Sequence, residues 1–136
     1  MNITRILLAA FAAFVAYFLL GGLFFAAGPL RNEFAKFPAV YRTQESMKPT
    51  LPLGMASMLV AMIVLAVLYA MLYKGGSGLF EGARFGALIG LFCVCSFVIH
   101  NYVNLNISLR LTLGQAAAYF VEWVVTGVVI GLIYKK

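Results

Sequence analysis

Four long apolar runs constrain this chain more than any other feature. The first, ILLAAFAAFVAYFLLGGLFFAAG, extends from Ile6 to Gly28 without a charged residue. The second runs from about residue 53 to 73, the third from about 83 to 104, and the fourth from about 113 to 134. A helix that crosses a bilayer needs about 20 mostly apolar residues, and backbone amides cannot go unpaired in lipid. The runs are therefore expected to be helices; they lack the alternating pattern of barrel strands. Composition agrees, since 64% of the 136 residues are hydrophobic and only 10% charged, where a soluble domain carries about 25%. The expected fold is all-α: one integral membrane domain over residues 1–136, an antiparallel four-helix bundle with a short amphipathic surface segment after the first helix.

Arg5 ahead of the first run gives it the outline of a secretory leader. The run exceeds the usual apolar core of about 7–15 residues, so it is expected to be retained. The net charge of +6 does not point to nucleic acid, because the cations sit in links and at ends, where they meet headgroups. Cys93 and Cys95 are two residues apart in an apolar run. On a helix they point apart, so they read as small packing residues rather than a disulfide.

Residues 74–82 and 105–112 make short links, which place neighbouring helices antiparallel. GGSG at 75–78 lacks the lysine-serine ending of a phosphate loop and reads as a flexible turn. The first link, PLRNEFAKFPAVYRTQESMKPT, is longer. Within it Leu30, Phe34, Phe37, Val40 and Tyr41 recur near helical spacing, with Arg31, Glu33 and Lys36 between them. That pattern suits a short helix on the membrane surface; an ordinary polar loop is the plainer alternative. Orientation is balanced. Arg5, Lys74, Arg84, Lys135 and Lys136 fall on one side, and Arg31, Lys36, Arg42, Lys48 and Arg110 on the other. The positive-inside rule does not decide between them. The Lys135-Lys136 pair favours both termini in the cytoplasm.

Burial alone does not hold helices together in lipid; close backbone approach and interhelical hydrogen bonds do. Gly82, Gly86 and Gly90 lie at steps of four in the third run, and Gly127 and Gly131 in the fourth. Both stripes are expected to be packing faces, against a helix of this chain or of a second copy.

Glu122 lies nine residues into the fourth run, at a depth of about 14 Å. An ionised carboxylate there costs roughly 3 kcal/mol or more, so it must be paired, protonated or turned to a wet cavity. Gln115, Tyr119, Glu122 and Thr126 share its face, while Trp123 points aside. In the third run Ser96, His100 and Asn104 form a stripe at steps of four. The two stripes are expected to meet as a polar seam with Glu122 below His100. Interhelical glue is the plain role for such a seam, at about 0.6 kcal/mol per contact. A proton-accepting pair or small-ligand site is the sharper one. His100 could also hold one axial position of a haem, but nothing else resembles a haem motif. No cofactor or metal is expected. Glu81 and Arg84 read as a surface pair or as headgroup contacts. Asn106-Ile-Ser108 matches a glycosylation sequon, a weak signal. No catalytic constellation appears.

The segments FPAVYR, GGSGLFEGARFGALIGL, VIHNYVNLN and AYFVEWVVTGVVIGLIY resemble a family of small uncharacterised bacterial four-helix integral membrane proteins. The resemblance spans most of the chain. It implies the bacterial inner (plasma) membrane and no assigned activity. The expected role is a small structural or accessory subunit that oligomerises or binds a larger membrane assembly. The alternative is a small transporter or proton-coupled channel using Glu122 and His100; an enzyme ranks third.

Overall fold

The computed structural model describes residues 2–134. The Lys135-Lys136 pair invoked for orientation lies outside the described residues. Four helices are long and apolar enough to cross a membrane: Ile3–Ala26, Leu51–Leu72, Gly78–Asn104 and Leu109–Ile133. There is no strand among the described residues. The first comprises α1 (Ile3–Gly21) and π-helical turns over Gly22–Ala26. Two short helices follow in the first link, α2 (Leu30–Ala35) and α3 (Gln44–Met47). Then come α4 (Leu51–Leu72), α5 (Gly78–Cys93) with π-helical turns over Val94–Ile99, α6 (His100–Asn104) and α7 (Leu109–Ile133).

Local chemistry sets the helix starts. The Asn2 side chain accepts from the Arg5 amide at 3.2 Å, and the Ser108 hydroxyl from the Leu111 amide at 3.1 Å. Each satisfies one of the amides that a helix start leaves without an intrahelical partner. Pro52 sits in the first turn of α4, where its missing N–H costs nothing. The third and fourth long helices open at Gly78 and Leu109, not near residues 83 and 113. Hydropathy marks only the apolar stretch, whereas the helices continue through polar first turns holding Glu81 and Arg110.

α5 packs on α7 backbone to backbone. Gly78 lies against Gly131, Gly82 against Gly127, Gly86 against Trp123 and Gly90 against Phe120. The two helices therefore run in opposite directions along this contact. Both glycine stripes are consumed by it, and Gly78, Gly82, Gly86, Gly90, Gly127 and Gly131 are buried. On the other side of α7 lies α1, whose inner face is Ile6, Ala9, Ala10 and Ala13. These join Met62, Leu65, Ala66, Tyr69 and Ala70 of α4, and Ile130 and Tyr134, in one cluster. Small side chains again let the helices approach closely. Outward positions such as Leu7, Phe11, Leu19, Val60, Leu88 and Phe97 are exposed and apolar.

At the end of the first long helix the chain reverses at Gly28. A side chain there would overlap the carbonyl of Leu23. The link then folds back onto the start of α7. Leu30, Ile107, Leu111 and Ala118 form a second core, covered by Phe24, Phe25, Phe34, Phe37, Val40 and Tyr41. The apolar pattern in the link is thus real, and it is spent on α7. Phe37, Val40 and Tyr41 lie in turns after α2, not on one continuous helix.

Candidate functional site

The polar residues of α7 gather on its inner face. Gln115, Glu122 and Thr126 are buried, Glu122 fully so at 0% exposure, and Tyr119 is half-buried. Among the described residues, neither Glu122 carboxylate oxygen nor the Thr126 hydroxyl has a hydrogen-bond partner. Glu122 faces α1, where the Tyr17 side chain stands beside it. A Cβ on Gly21 would come within 3.4 Å of Glu122 Oε1, so the absent side chain leaves room for the carboxylate. Aromatic rings close the site above and below. Tyr17 meets Trp123 at a tilt with centroids 5.2 Å apart, and Phe25 meets Tyr119 likewise at 5.0 Å.

The third long helix does not join this site. Ser96, His100 and Asn104 are exposed. Ser96 donates to the Phe92 carbonyl at 2.6 Å, and the Asn104 amide donates to the His100 carbonyl at 3.4 Å. The glycine stripe decides the matter. Continued in steps of four, Gly82, Gly86 and Gly90 lead to Val94 and Val98, both buried. Ser96 stands two residues from Val94, about 200° around the helix, and so points away from α7. Depth separates the groups as well, since Glu122 lies level with the Gly86–Gly90 turn that touches Trp123 and Phe120. His100 is more than two turns beyond it. The expected facing seam is corrected to a half-seam, α7 against α1.

The polar line continues toward the start of α7. Gln115 Nε2 donates to the Tyr41 hydroxyl at 3.3 Å, and Thr112 donates to the Ser108 carbonyl at 3.1 Å. Glu33, only 9% exposed, takes Lys36 Nζ at 2.8 Å and Arg110 Nε at 3.6 Å. The Lys36 hydrogen bond holds its carboxyl below the usual carboxylate range, with further help from the Lys36 and Arg110 charges. The link is thereby clamped to α7. Glu81 accepts from the Gly76 amide at 3.1 Å; of the two readings for Glu81 and Arg84, the direct pair does not form among the described residues.

Tyr17, Tyr41, Glu33 and Arg110 were not among the expected residues. A signal for Tyr17 was present. Ala10, Ala13, Tyr17 and Gly21 follow at steps of three and four in α1, a small-residue stripe carrying one hydroxyl. Glu33 and Lys36 are likewise an i, i+3 pair. Nothing local in the sequence ties Arg110 or Tyr41 to its partner. Among the described residues no three His, Cys, Asp or Glu gather as metal ligands.

A family model described as a protein of unknown function, DUF1761, matches residues 8–131. No curated protein and no solved structure matches the chain. The chain belongs to the DUF1761 family, in agreement with the expected uncharacterised family.

Proposed function

We propose, with membership of that family as the premise, that this is a multi-pass membrane protein working as a small structural or accessory subunit. In this reading the four long helices cross the bilayer as an antiparallel bundle, with both termini in the cytoplasm. The bacterial inner membrane is the location the sequence resemblance favours. The role is binding rather than catalysis. What supports it is the outward face of the third long helix, where Ser96, His100 and Asn104 stand exposed among Phe92, Phe97, Ile99 and Val103. Ser96 and Asn104 satisfy themselves on their own backbone, but the His100 ring has no partner among the described residues. Lipid tails offer an imidazole nothing, whereas a neighbouring helix can supply an acceptor. Both glycine stripes are already used inside the chain, so this face is left for a second copy or another membrane protein. The test is the particle mass in gentle detergent of the wild type and of His100→Leu. A larger wild-type particle that shrinks in the variant is expected. A wild-type monomer, with no partner recovered from native membranes, would end the proposal.

A second reading rests on Glu122. A fully enclosed carboxylate with unpaired oxygens is costly in a membrane interior and is commonly retained for a proton or ion path. Tyr17, not His100, is then the group that works with it. Reconstituted vesicles are the test: unchanged proton-coupled flux in Glu122→Gln would count decisively against a small transporter or proton-coupled channel.

A further inference from the structure

We infer that the cleft between the first link and α7 binds an anionic phospholipid. The phosphate lies at Arg31 and Arg42, and an acyl chain lies on the aromatic floor. The cleft has a volume of about 620 Å³, inside the roughly 300–1,000 Å³ common for ligand sites. Its floor and wall are a run of touching rings. Tyr119 meets Phe25 at 5.0 Å, Phe25 meets Phe34 at 5.8 Å, and Phe34 meets Tyr41 at 4.7 Å. Tyr119 stands ten residues inside α7, so the floor descends about 15 Å from the helix start. At the other end are two guanidiniums. Arg42 makes one long contact, to the Ser46 carbonyl at 3.4 Å, and Arg31 has no partner among the described residues.

No carboxylate lines the cleft. Glu33, the acidic residue of α2, is occupied by Lys36 and Arg110. Glu45 of α3 stands beside the cleft without lining it or pairing with either arginine, so the two guanidiniums remain open to an anion. Guanidinium takes phosphate through paired, charge-assisted hydrogen bonds. A charged rim joined to a deep aromatic floor fits a molecule with an anionic head and an apolar tail. The cleft opens where the first long helix ends, at Ala26, which is headgroup level if that helix crosses the bilayer. The inference rests on that membrane reading.

Alkaline carbonate extraction comes first. Release from the membrane overturns the membrane reading and this inference together; retention leaves the inference to be decided by lipid binding. Wild type, an Arg31→Ala/Arg42→Ala double variant and Arg84→Ala are then incubated in mild detergent. Equal phosphatidylglycerol and phosphatidylcholine are added, and retained lipid is read by native mass spectrometry. Both cleft arginines are exposed, and circular dichroism checks that the double variant keeps its helices. The expected result is selective phosphatidylglycerol retention by wild type and Arg84→Ala, falling about tenfold or more in the double variant. A double arginine-to-lysine variant should retain most of it. Equal retention by all proteins, or none by wild type, overturns the inference. Displacement by millimolar inorganic phosphate as readily as by lysophosphatidylglycerol would make the site one for a free anion and also overturn it.

Discussion

Gly82 and Gly127 face each other so closely that a methyl group on either would overlap the carbonyl oxygen of the other. A Cβ on Gly127 would also come within 2.6 Å of the Gly86 Cα. These neighbours are backbone and cannot swing aside. Gly82→Ala or Gly127→Ala should therefore separate α5 from α7 and cost about 1–3 kcal/mol, the usual range for overpacking. Gly22→Ala, where nothing lies within 4 Å, should not destabilise. Unfolding midpoints in detergent, followed by circular dichroism, give the comparison; equal losses at all three sites would refute it.

Gly114 offers a control with similar spacing and a different neighbour. A Cβ there would come within 2.5 Å of Leu30 Cδ2, the far end of a side chain. Gly114→Ala should be tolerated far better than Gly127→Ala, since Leu30 can change rotamer. Leu30→Ala empties the second core and should cost about 2–5 kcal/mol of link docking. Limited proteolysis between residues 36 and 48 reads the loosened link. A link as resistant as wild type in Leu30→Ala would show that Leu30 does not hold it.

At Glu122 neither oxygen makes a hydrogen bond, although the Tyr17 hydroxyl stands beside it, so an ionised carboxylate is not what the fold needs there. Glu122→Gln keeps the shape and should leave the unfolding midpoint close to wild type. Glu122→Lys imposes a charge and a longer chain on a fully buried position, and should cost roughly 3 kcal/mol or more. Tyr17→Phe, which removes the facing hydroxyl, should cost no more than about 1 kcal/mol. A large loss in Glu122→Gln would mean that the carboxylate itself is a structural anchor.

The clamp at Glu33 makes docking of the link depend on pH. Its carboxyl titrates below the usual range because Lys36 and Arg110 favour the ionised form. The stabilisation is present above the ordinary carboxylate range and is lost as pH falls through the lowered value. Hydrogen exchange of residues 30–41 should therefore quicken on acidification, and Glu33→Gln should flatten that response. An identical pH profile in the variant would remove Glu33 from the account.

Much of the architecture was legible because the four apolar runs admit only helices. The link was legible in part: the spacing of Leu30, Phe34 and Phe37 marked an apolar face, which suits a membrane surface equally well, and periodicity alone could not say that α7 would cover it. The His100 stripe faces away from α7 for a physical reason. Glycines and polar groups in the third run lie on opposite sides of one helix, and only one side can meet α7. Gly82, Gly86 and Gly90 win because backbone contact requires the absence of Cβ atoms, and Ser96 and His100 are carried outward with the rotation. Tyr17 was hidden for another reason. A tyrosine among alanines reads as an interfacial anchor until the partner helix is known, and that helix is encoded about a hundred residues later.

That separation sets an order of events during synthesis. The ribosome releases α1 first and α7 last, yet α7 carries the surfaces that α1, α5 and the first link all pack against. Until α7 emerges, the link has no core to cover, Glu33 has no Arg110, and the glycine stripe of α5 has no mate. The nascent chain can thus pair α1 with α4 early, but α5 and the link wait for one late segment, and a message broken shortly before that segment leaves both without a seat.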